Sequence, residues 1–204
     1  MKLGTAALLA ALVTAVPAFA PAAMAQATTD LEKLEGGQFV LDKSHAKIIF
    51  SYSHFGYSTS YGLFTDFDGK LAFDPKALAK SVLEVTVNMD GIDTTVPKLD
   101  AHLKTSDFFD VAKFPSAGFK STAIEVTGPT TGKITGNLTL HGVTKPVVLE
   151  ASFNGGGTNP VSKKYVVGFN ATAKVKRSEF GVANYAPMVG DDVTLTISGE
   201  FDRQ

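Results

Sequence analysis

The sequence predicts an all-β fold: an antiparallel up-and-down barrel of about eight strands, interrupted by one short helix near residues 97–106. Three observations carry that expectation. Apolar and polar residues alternate with period two over several strand-length segments. The segments are separated by hairpin-length stretches rich in Gly, Pro, Thr and Asn. No run between them is a helix long enough to serve as the crossover that parallel strands need. Closure into a barrel removes exposed sheet edges, and a sandwich is the alternative arrangement. Nineteen glycines, fifteen phenylalanines and no tryptophan suit a β-rich chain with tight turns and large apolar side chains.

The N-terminus reads as a secretory signal covering residues 1–25. Lys2 supplies a positive start, residues 3–19 are an Ala/Leu/Val run, and Ala23-Met24-Ala25 fits a small-x-small cleavage site, with cutting after Ala25 or Ala27. Pro17 and Pro21 interrupt the run before the roughly 20 apolar residues of a spanning helix accumulate. Residues 26–37 read as a flexible polar lead-in, and residues 38–204 as one barrel domain. Loss of Lys2 with the signal makes the remainder one unit more negative than the formal −1 of the whole chain. That balance offers no electrostatic footprint for nucleic acid or an anionic membrane. With no cysteine, neither disulfides nor an N-terminal lipidated cysteine can contribute.

Strand-like alternation begins at Phe39. Over residues 46–54, Ile48, Phe50, Tyr52 and His54 share one face against Lys47, Ser51 and Ser53. Gly56 and the Ser58-Thr59-Ser60 cluster mark a bend. A second strand over 61–73 puts Tyr61, Leu63, Phe67, Leu71 and Phe73 on one parity, with Gly69 allowing curl. Asp74-Pro75 starts a single helical turn, and residues 81–88 alternate again. Residues 97–106 read as a short helix with Leu99 and Leu103 at i, i+4. Strands follow at 118–126, 133–140 and 146–153, then a flexible turn over 155–160, then strands at 165–176 and 192–201.

Catalytic signatures are missing from this pattern. The four histidines, His45, His54, His102 and His141, lie in none of the H-x-H, H-x-x-H or H-E-x-x-H spacings of metal sites. No G-x-S-x-G elbow is present, and Asp107/Asp110 and Asp191/Asp192 stand where turn hydrogen bonding accounts for them. His141 precedes a glycine in a hairpin and reads as a turn residue. For His54, on the apolar parity of its strand, a satisfied core histidine and a ligand contact fit equally well. Arg177, one of two arginines, reads either as a surface ion-pair partner or, beside Phe180 and Tyr185, as a group facing a polar head at a barrel mouth. The segment 99–119 carries Phe108, Phe109, Phe114 and Phe119, and either plugs a core or lines a cavity.

Four blocks resolve the choice by likeness: residues 41–74, 99–124 (LDAHLKTSDFFDVAKFPSAGFKSTAI), 136–153 (GNLTLHGVTKPVVLEASF) and 174–201 (KVKRSEFGVANYAPMVGDDVTLTISGEF). In order and spacing the chain resembles the YceI-like family of exported lipid-binding proteins from about Phe39 to Phe201. The resemblance implies an extended lipocalin-like barrel with a long apolar tunnel, a periplasmic location, a homodimer, and a polyisoprenoid or similar long-chain amphiphile as ligand. It implies no catalysis, and no cofactor beyond that non-covalent lipid. The expected ligand-binding residues are Phe50, Tyr52, His54, Phe64, Phe67, His102, Phe108, Phe109, Phe114, Phe119, Phe169, Arg177, Phe180 and Tyr185. Among them His54, His102 and Arg177 are expected to meet the head. Many family members carry a basic residue just before the aspartate of the D-x-H-L motif, where this chain has Leu99. That departure favours a neutral head such as a quinone or amide. A metal- or redox-assisted envelope enzyme and a filled-barrel interaction module are the competing readings.

Overall fold

The computed structural model describes residues 27–204; the expected signal peptide lies outside the described residues. Eleven strands run in chain order: β1 Gly37–Leu41, β2 Lys47–His54, β3 Ser58–Phe64, β4 Phe67–Phe73, β5 Val82–Asn88, β6 Ile92–Asp93, β7 Ser116–Val126, β8 Thr131–Leu140, β9 Val143–Thr158, β10 Tyr165–Lys176 and β11 Asp192–Arg203. One α-helix, α1 (Pro97–Leu103), separates β6 from β7, with Pro97 at a position that needs no amide hydrogen. All pairings are antiparallel. The ring β1-β4-β5-β7-β8-β9-β10-β11 closes through β1–β11, an eight-stranded barrel, and β2-β3-β6 branches from it.

That branch follows from three aligned interruptions. β11 pairs through Phe201–Arg203 with β1 and through Thr194–Ser198 with β2, so β1 and β2 are two pieces of one stave. A 3-10 turn at Lys43–His45 parts them. The neighbouring stave breaks at Thr65-Asp66 between β3 and β4, and the next at a 3-10 turn over Met89–Gly91 between β5 and β6. Side chains stitch the breaks together. Lys43 Nζ reaches Asp68 at 2.9 Å and Asp66 at 3.6 Å, Asn88 Nδ2 donates to Asp66 at 2.8 Å, and Thr65 Oγ1 donates to the Gly91 carbonyl at 2.8 Å. The lower pieces complete the ring, while the upper pieces form a flap at one end, with α1 and residues 104–115 filling the gap before β7.

The break at Thr65-Asp66 corrects the expected single strand over 61–73. Two residues instead of one lie between the inward-facing Phe64 and Phe67, which shifts the inward parity: Gly62 and Phe64 in β3, then Phe67, Leu71 and Phe73 in β4, with Tyr61 turned out to solvent. The expected flexible turn at 155–160 is also corrected, since β9 continues to Thr158. Its glycines serve close packing instead. A Cβ on Gly156 would lie 2.9 Å from Leu34 Cδ2, and one on Gly155 would lie 3.0 Å from Ala27 Cβ. Within residues 27–36, Thr28 and Gly156 exchange two 2.9 Å backbone hydrogen bonds, and Leu34 is buried. Leu34 joins Phe39, Leu71, Phe73, Val167 and Phe201 in a cluster that floors the barrel.

The turn between β1 and β2 carries its own pH dependence. Asp42 accepts from the Ser44 amide at 2.9 Å and from the Ser44 hydroxyl at 2.5 Å, and meets His45 Nδ1 at 2.7 Å. The Ser44 hydroxyl and then His45 lower the Asp42 carboxyl to about 2, and hydrogen bonding to Asp42 raises His45 above its ordinary value. The depressed Asp42 stabilises the fold above about pH 4 and loses that contribution as pH falls toward 2. The raised His45 contributes fully below about pH 6.5 and loses its share as pH climbs through its folded value. The stability gap between wild type and Asp42→Asn is therefore widest between about pH 4 and 6.5. Urea unfolding from pH 2 to 9 measures it, and a gap that does not vary with pH would contradict this account.

Candidate functional site

Inside the ring lies a cavity of about 660 Å³, within the roughly 300–1,000 Å³ of small-molecule sites. Along β11 its wall extends from Val193 to Phe201. Eight steps of about 3.3 Å at a strand tilt near 40° give a length of roughly 20 Å. The wall is aliphatic and aromatic, including Ile48, Leu83, Val85, Ile134, Leu138, Val147, Leu149 and Ile197. Eight staves leave a lumen that side chains either fill or yield to one ligand, and here they leave it open.

Two glycines help keep it so. Gly62 sits opposite Phe50 on the inward face, and a Cβ there would lie 2.2 Å from the Phe50 ring. Gly136, on the inward face of β8, would place a Cβ 2.3 Å from the Phe119 ring. Each ring lies flat over backbone on the neighbouring strand, where a larger residue would force it toward the lumen.

Polar groups line both ends, Glu125, Thr130, Thr131 and Asn170 toward the β7–β8 hairpin and a larger set at the upper end. Tyr52, His54, Ser60, His102, Arg177 and Tyr185 all contribute to the wall there, beside Phe50, Phe64, Leu99, Phe108 and Phe109. His102 Nε2 lies 3.0 Å from Asp107 Oδ2, and its ring meets Phe108 edge-on at 5.0 Å. α1 is held to β6 by Asp100, which accepts from the Thr94 amide at 2.7 Å and its hydroxyl at 2.5 Å. Asn184 Nδ2 donates to the Asp107 carbonyl at 2.6 Å and ties the flap to the loop after β10.

Of the fourteen expected residues, twelve line this one cavity: Phe50, Tyr52, His54, Phe64, Phe67, His102, Phe108, Phe109, Phe119, Phe169, Arg177 and Tyr185. Phe114 and Phe180 do not. Phe114 lies over Gly142, with its ring 4.6 Å from His141, on the far side of the β8–β9 turn. Phe180 is 1% exposed and packs against Val147, Ala173 and Val175 without lining the cavity. His141 Nδ1 donates to the Phe180 carbonyl at 3.1 Å and pins that segment. Hairpin geometry places it there, His141 (φ 51°) and Gly142 (φ 75°) making a two-residue turn.

Arg177 reaches the cavity, but its guanidinium is committed elsewhere. Nε donates to the Gly190 carbonyl at 2.9 Å, one terminal nitrogen to Val182 at 2.7 Å and Asn184 at 2.9 Å, and the other to Val189 at 2.7 Å. Four carbonyls of the 178–190 loop thus converge on one buried cation. Asp191 fastens the loop's base, accepting from the Ser178 amide and hydroxyl at 2.8 Å each. Burial pushes the arginine's pKa down against the opposing pull of Asp191, and guanidinium stays charged regardless. Sequence reasoning could not separate this loop clamp from a head-group contact, because the acceptors are main-chain atoms without a sequence signature.

The other charged wall residue is Glu125, from the β7–β8 hairpin region. No group of three or more His, Asp or Glu among the described residues could hold a metal ion. Leu31, Leu99, Ile134 and Leu149 line the cavity too, and periodicity alone gave no signal that they face a void rather than a filled core.

Comparison with known proteins agrees with this architecture. The YceI-like domain model matches residues 39–201. A UPF0312 protein from Pseudomonas syringae pv. tomato is 41% identical over 164 residues, covering 79% of this chain and 85% of the relative. The crystal structure of Campylobacter jejuni YceI protein superposes with a TM-score of 0.67 at 33% identity, over 74% of this chain and 90% of that one. A polyisoprenoid binding domain from Saccharophagus degradans, implicated in plant cell wall breakdown, shares the fold with a TM-score of 0.62 at 11% identity, over 83% of this chain and all of that one. An apolar-lined eight-stranded barrel, carrying that domain match across nearly all its strands, belongs to the YceI-like family.

Proposed function

We propose that this protein is a non-catalytic carrier of a long-chain amphiphile, with the chain in the barrel and the head at the upper mouth. The carrying observation is the open lumen of about 660 Å³, walled by aliphatic and aromatic side chains for roughly 20 Å. Burial at about 0.8 kcal/mol per CH₂ supplies the affinity, and a chain needs no directional contacts along such a wall. The ligand class is an isoprenoid, such as a prenyl alcohol or isoprenoid quinone. Sharing a fold with a polyisoprenoid binding domain supports that choice. The exported location expected from residues 1–25 suits a protein of the periplasm that accepts its lipid outside the cytoplasm.

The head is neutral on this reading. An anionic pyrophosphate needs a free cation, yet Arg177 is spent on four carbonyls and Leu99 is an apolar part of the wall. His54, His102, Tyr52, Ser60 and Tyr185 can hydrogen-bond a carbonyl or hydroxyl.

Organic extraction of the purified protein followed by mass spectrometry tests the ligand class. The expected result is a set of masses spaced by one isoprene unit; recovery of no lipid, with no uptake of prenyl alcohols or quinones, would sink the reading. In direct binding, a prenyl quinone should bind at least tenfold tighter than the prenyl pyrophosphate of equal chain length, a difference of about 1.4 kcal/mol. Equal affinities would remove the neutral-head assignment. Gly62→Ala should cost about 1–3 kcal/mol of stability through overpacking and weaken long-chain binding more than tenfold, as titration on the folded variant would reveal. Arg177→Met should lower stability by about 3–5 kcal/mol by stranding the loop carbonyls. If Arg177→Met instead keeps its melting temperature and loses only ligand, the loop-clamp assignment is wrong.

A further inference from the structure

The mouth of the cavity is surrounded by apolar and aromatic side chains exposed to solvent. Tyr57 is 91% exposed, Met188 58%, Tyr185 54% and Phe55 46%. They form one patch. Phe55 and Gly56, both at positive φ, turn the β2–β3 hairpin and carry Phe55 and Tyr57 to its tip. The Phe55 amide donates to the Met188 carbonyl at 2.9 Å, and His54 bridges to Val189. The hairpin and the 178–190 loop are therefore fastened side by side. Phe55 and Tyr185 also line the cavity, so the exposed patch and the lumen share a border.

Charge is missing from both segments. Between Lys47 and Asp66, and again between Glu179 and Asp191, no Asp, Glu, Lys or Arg occurs. The barrel's outer wall is the opposite: Lys120 pairs with Glu84 at 2.6 Å, Lys133 with Glu150 at 3.6 Å and Lys176 with Asp192 at 2.8 Å. On the flap, His102 is held with Asp107 and Lys104 with Asp90. A charge-free rim of Tyr, Phe and Met on a charged cylinder has the composition of a surface that meets the bilayer interface, where amphipathic rings sit at head-group level.

From this geometry we infer that the rim formed by Phe55, Tyr57, Tyr185 and Met188 docks on the lipid bilayer, so that the cavity opens directly onto the membrane from which its ligand is drawn. The inference rests on the lipid-carrier reading for its purpose, since a chain that fills an apolar lumen is poorly soluble in the water it would otherwise cross. Docking is by apolar insertion and is independent of lipid charge. Only the rim enters the interface; the charged wall stays in water.

Methionine offers a direct probe. Among the described residues, Met188 lies in the rim and Met89 is 2% exposed in the interior. With methyl-labelled methionine in the full chain, bicelles of phosphatidylcholine carrying a doxyl-labelled lipid should broaden the Met188 methyl signal several-fold more than that of Met89. Neither salt nor added phosphatidylglycerol should change the effect by more than twofold. No selective broadening at Met188, or broadening that requires anionic lipid, overturns the inference. A Met188 signal that responds to protein concentration but not to bicelles also overturns it, assigning the patch to a second copy of the chain.

The double variant Tyr57→Ser/Met188→Ser alters the rim outside the cavity wall. It should slow uptake of a fluorescent long-chain prenyl alcohol from phosphatidylcholine vesicles at least tenfold, while binding of farnesol from solution stays within twofold of wild type. Unchanged uptake from vesicles counts against docking. Failure of the wild type to bind farnesol counts instead against the carrier reading, and Met188 broadening still decides the docking separately.

Discussion

Everything in this molecule depends on how β11 is paired. One edge is covered by β10, while the other is shared between β1 at its C-terminal end and β2 nearer its start. With β1 alone, the ring would close and end. Because β2 continues beyond the break, β11 also supports a flap that rises past the ring and carries β3 and β6 with it. Closure leaves no free edge in the ring and makes the inner face a continuous, largely apolar surface. The extension gives that surface a mouth of different chemistry.

The two ends consequently do different work. At the floor, Phe39, Phe73, Phe153, Phe169 and Phe201 meet edge-on or tilted, 5.2–6.3 Å apart in successive pairs, with Leu34 from the packed N-terminal segment among them. At the mouth, aromatic residues are mixed with histidines and tyrosines, and the surrounding loops are fixed by polar clamps. Arg177 gathers four carbonyls, Asp191 fastens Ser178, Asn184 reaches the flap, and Asp100 secures α1. Arg177 and Asn184 use main-chain acceptors while Asp191 and Asp100 accept through their carboxylates, so the mouth is shaped without consuming the His54 side chain, and His102 keeps its pairing with Asp107. An apolar chain with one polar end matches that division.

Much of this was legible in the sequence because it rests on local pattern. Period-two alternation identified the staves, and the proline and i, i+4 leucines located α1, which stops at Leu103, a few residues short of the expected end. Parity placed Phe50, Tyr52 and His54 together on the lumen side. What escaped was non-local. The two-residue break at Thr65-Asp66 reverses parity without a glycine or proline to announce it. Gly155-Gly156-Gly157 looks like a turn, yet its glycines are small because the segment from Ala27 to Leu34 lies against them. Phe180 has the same apolar character as Phe169, and only the β10 exit geometry leaves one off the cavity lining and the other on it. Arg177 was ambiguous for the same reason, since its partners are backbone oxygens.

The central claim is that the lumen holds one extended chain, head at the mouth and tail at the floor. A crystal structure of the protein grown with a neutral prenyl quinone tests this most directly. The account predicts continuous ligand density from beside His54 and His102, past Phe119 and Gly136, to the Phe153–Phe169 floor, with both glycine-backed rings still flat against the wall. Side chains collapsed into the lumen, or quinone bound only on the outer surface, would contradict it.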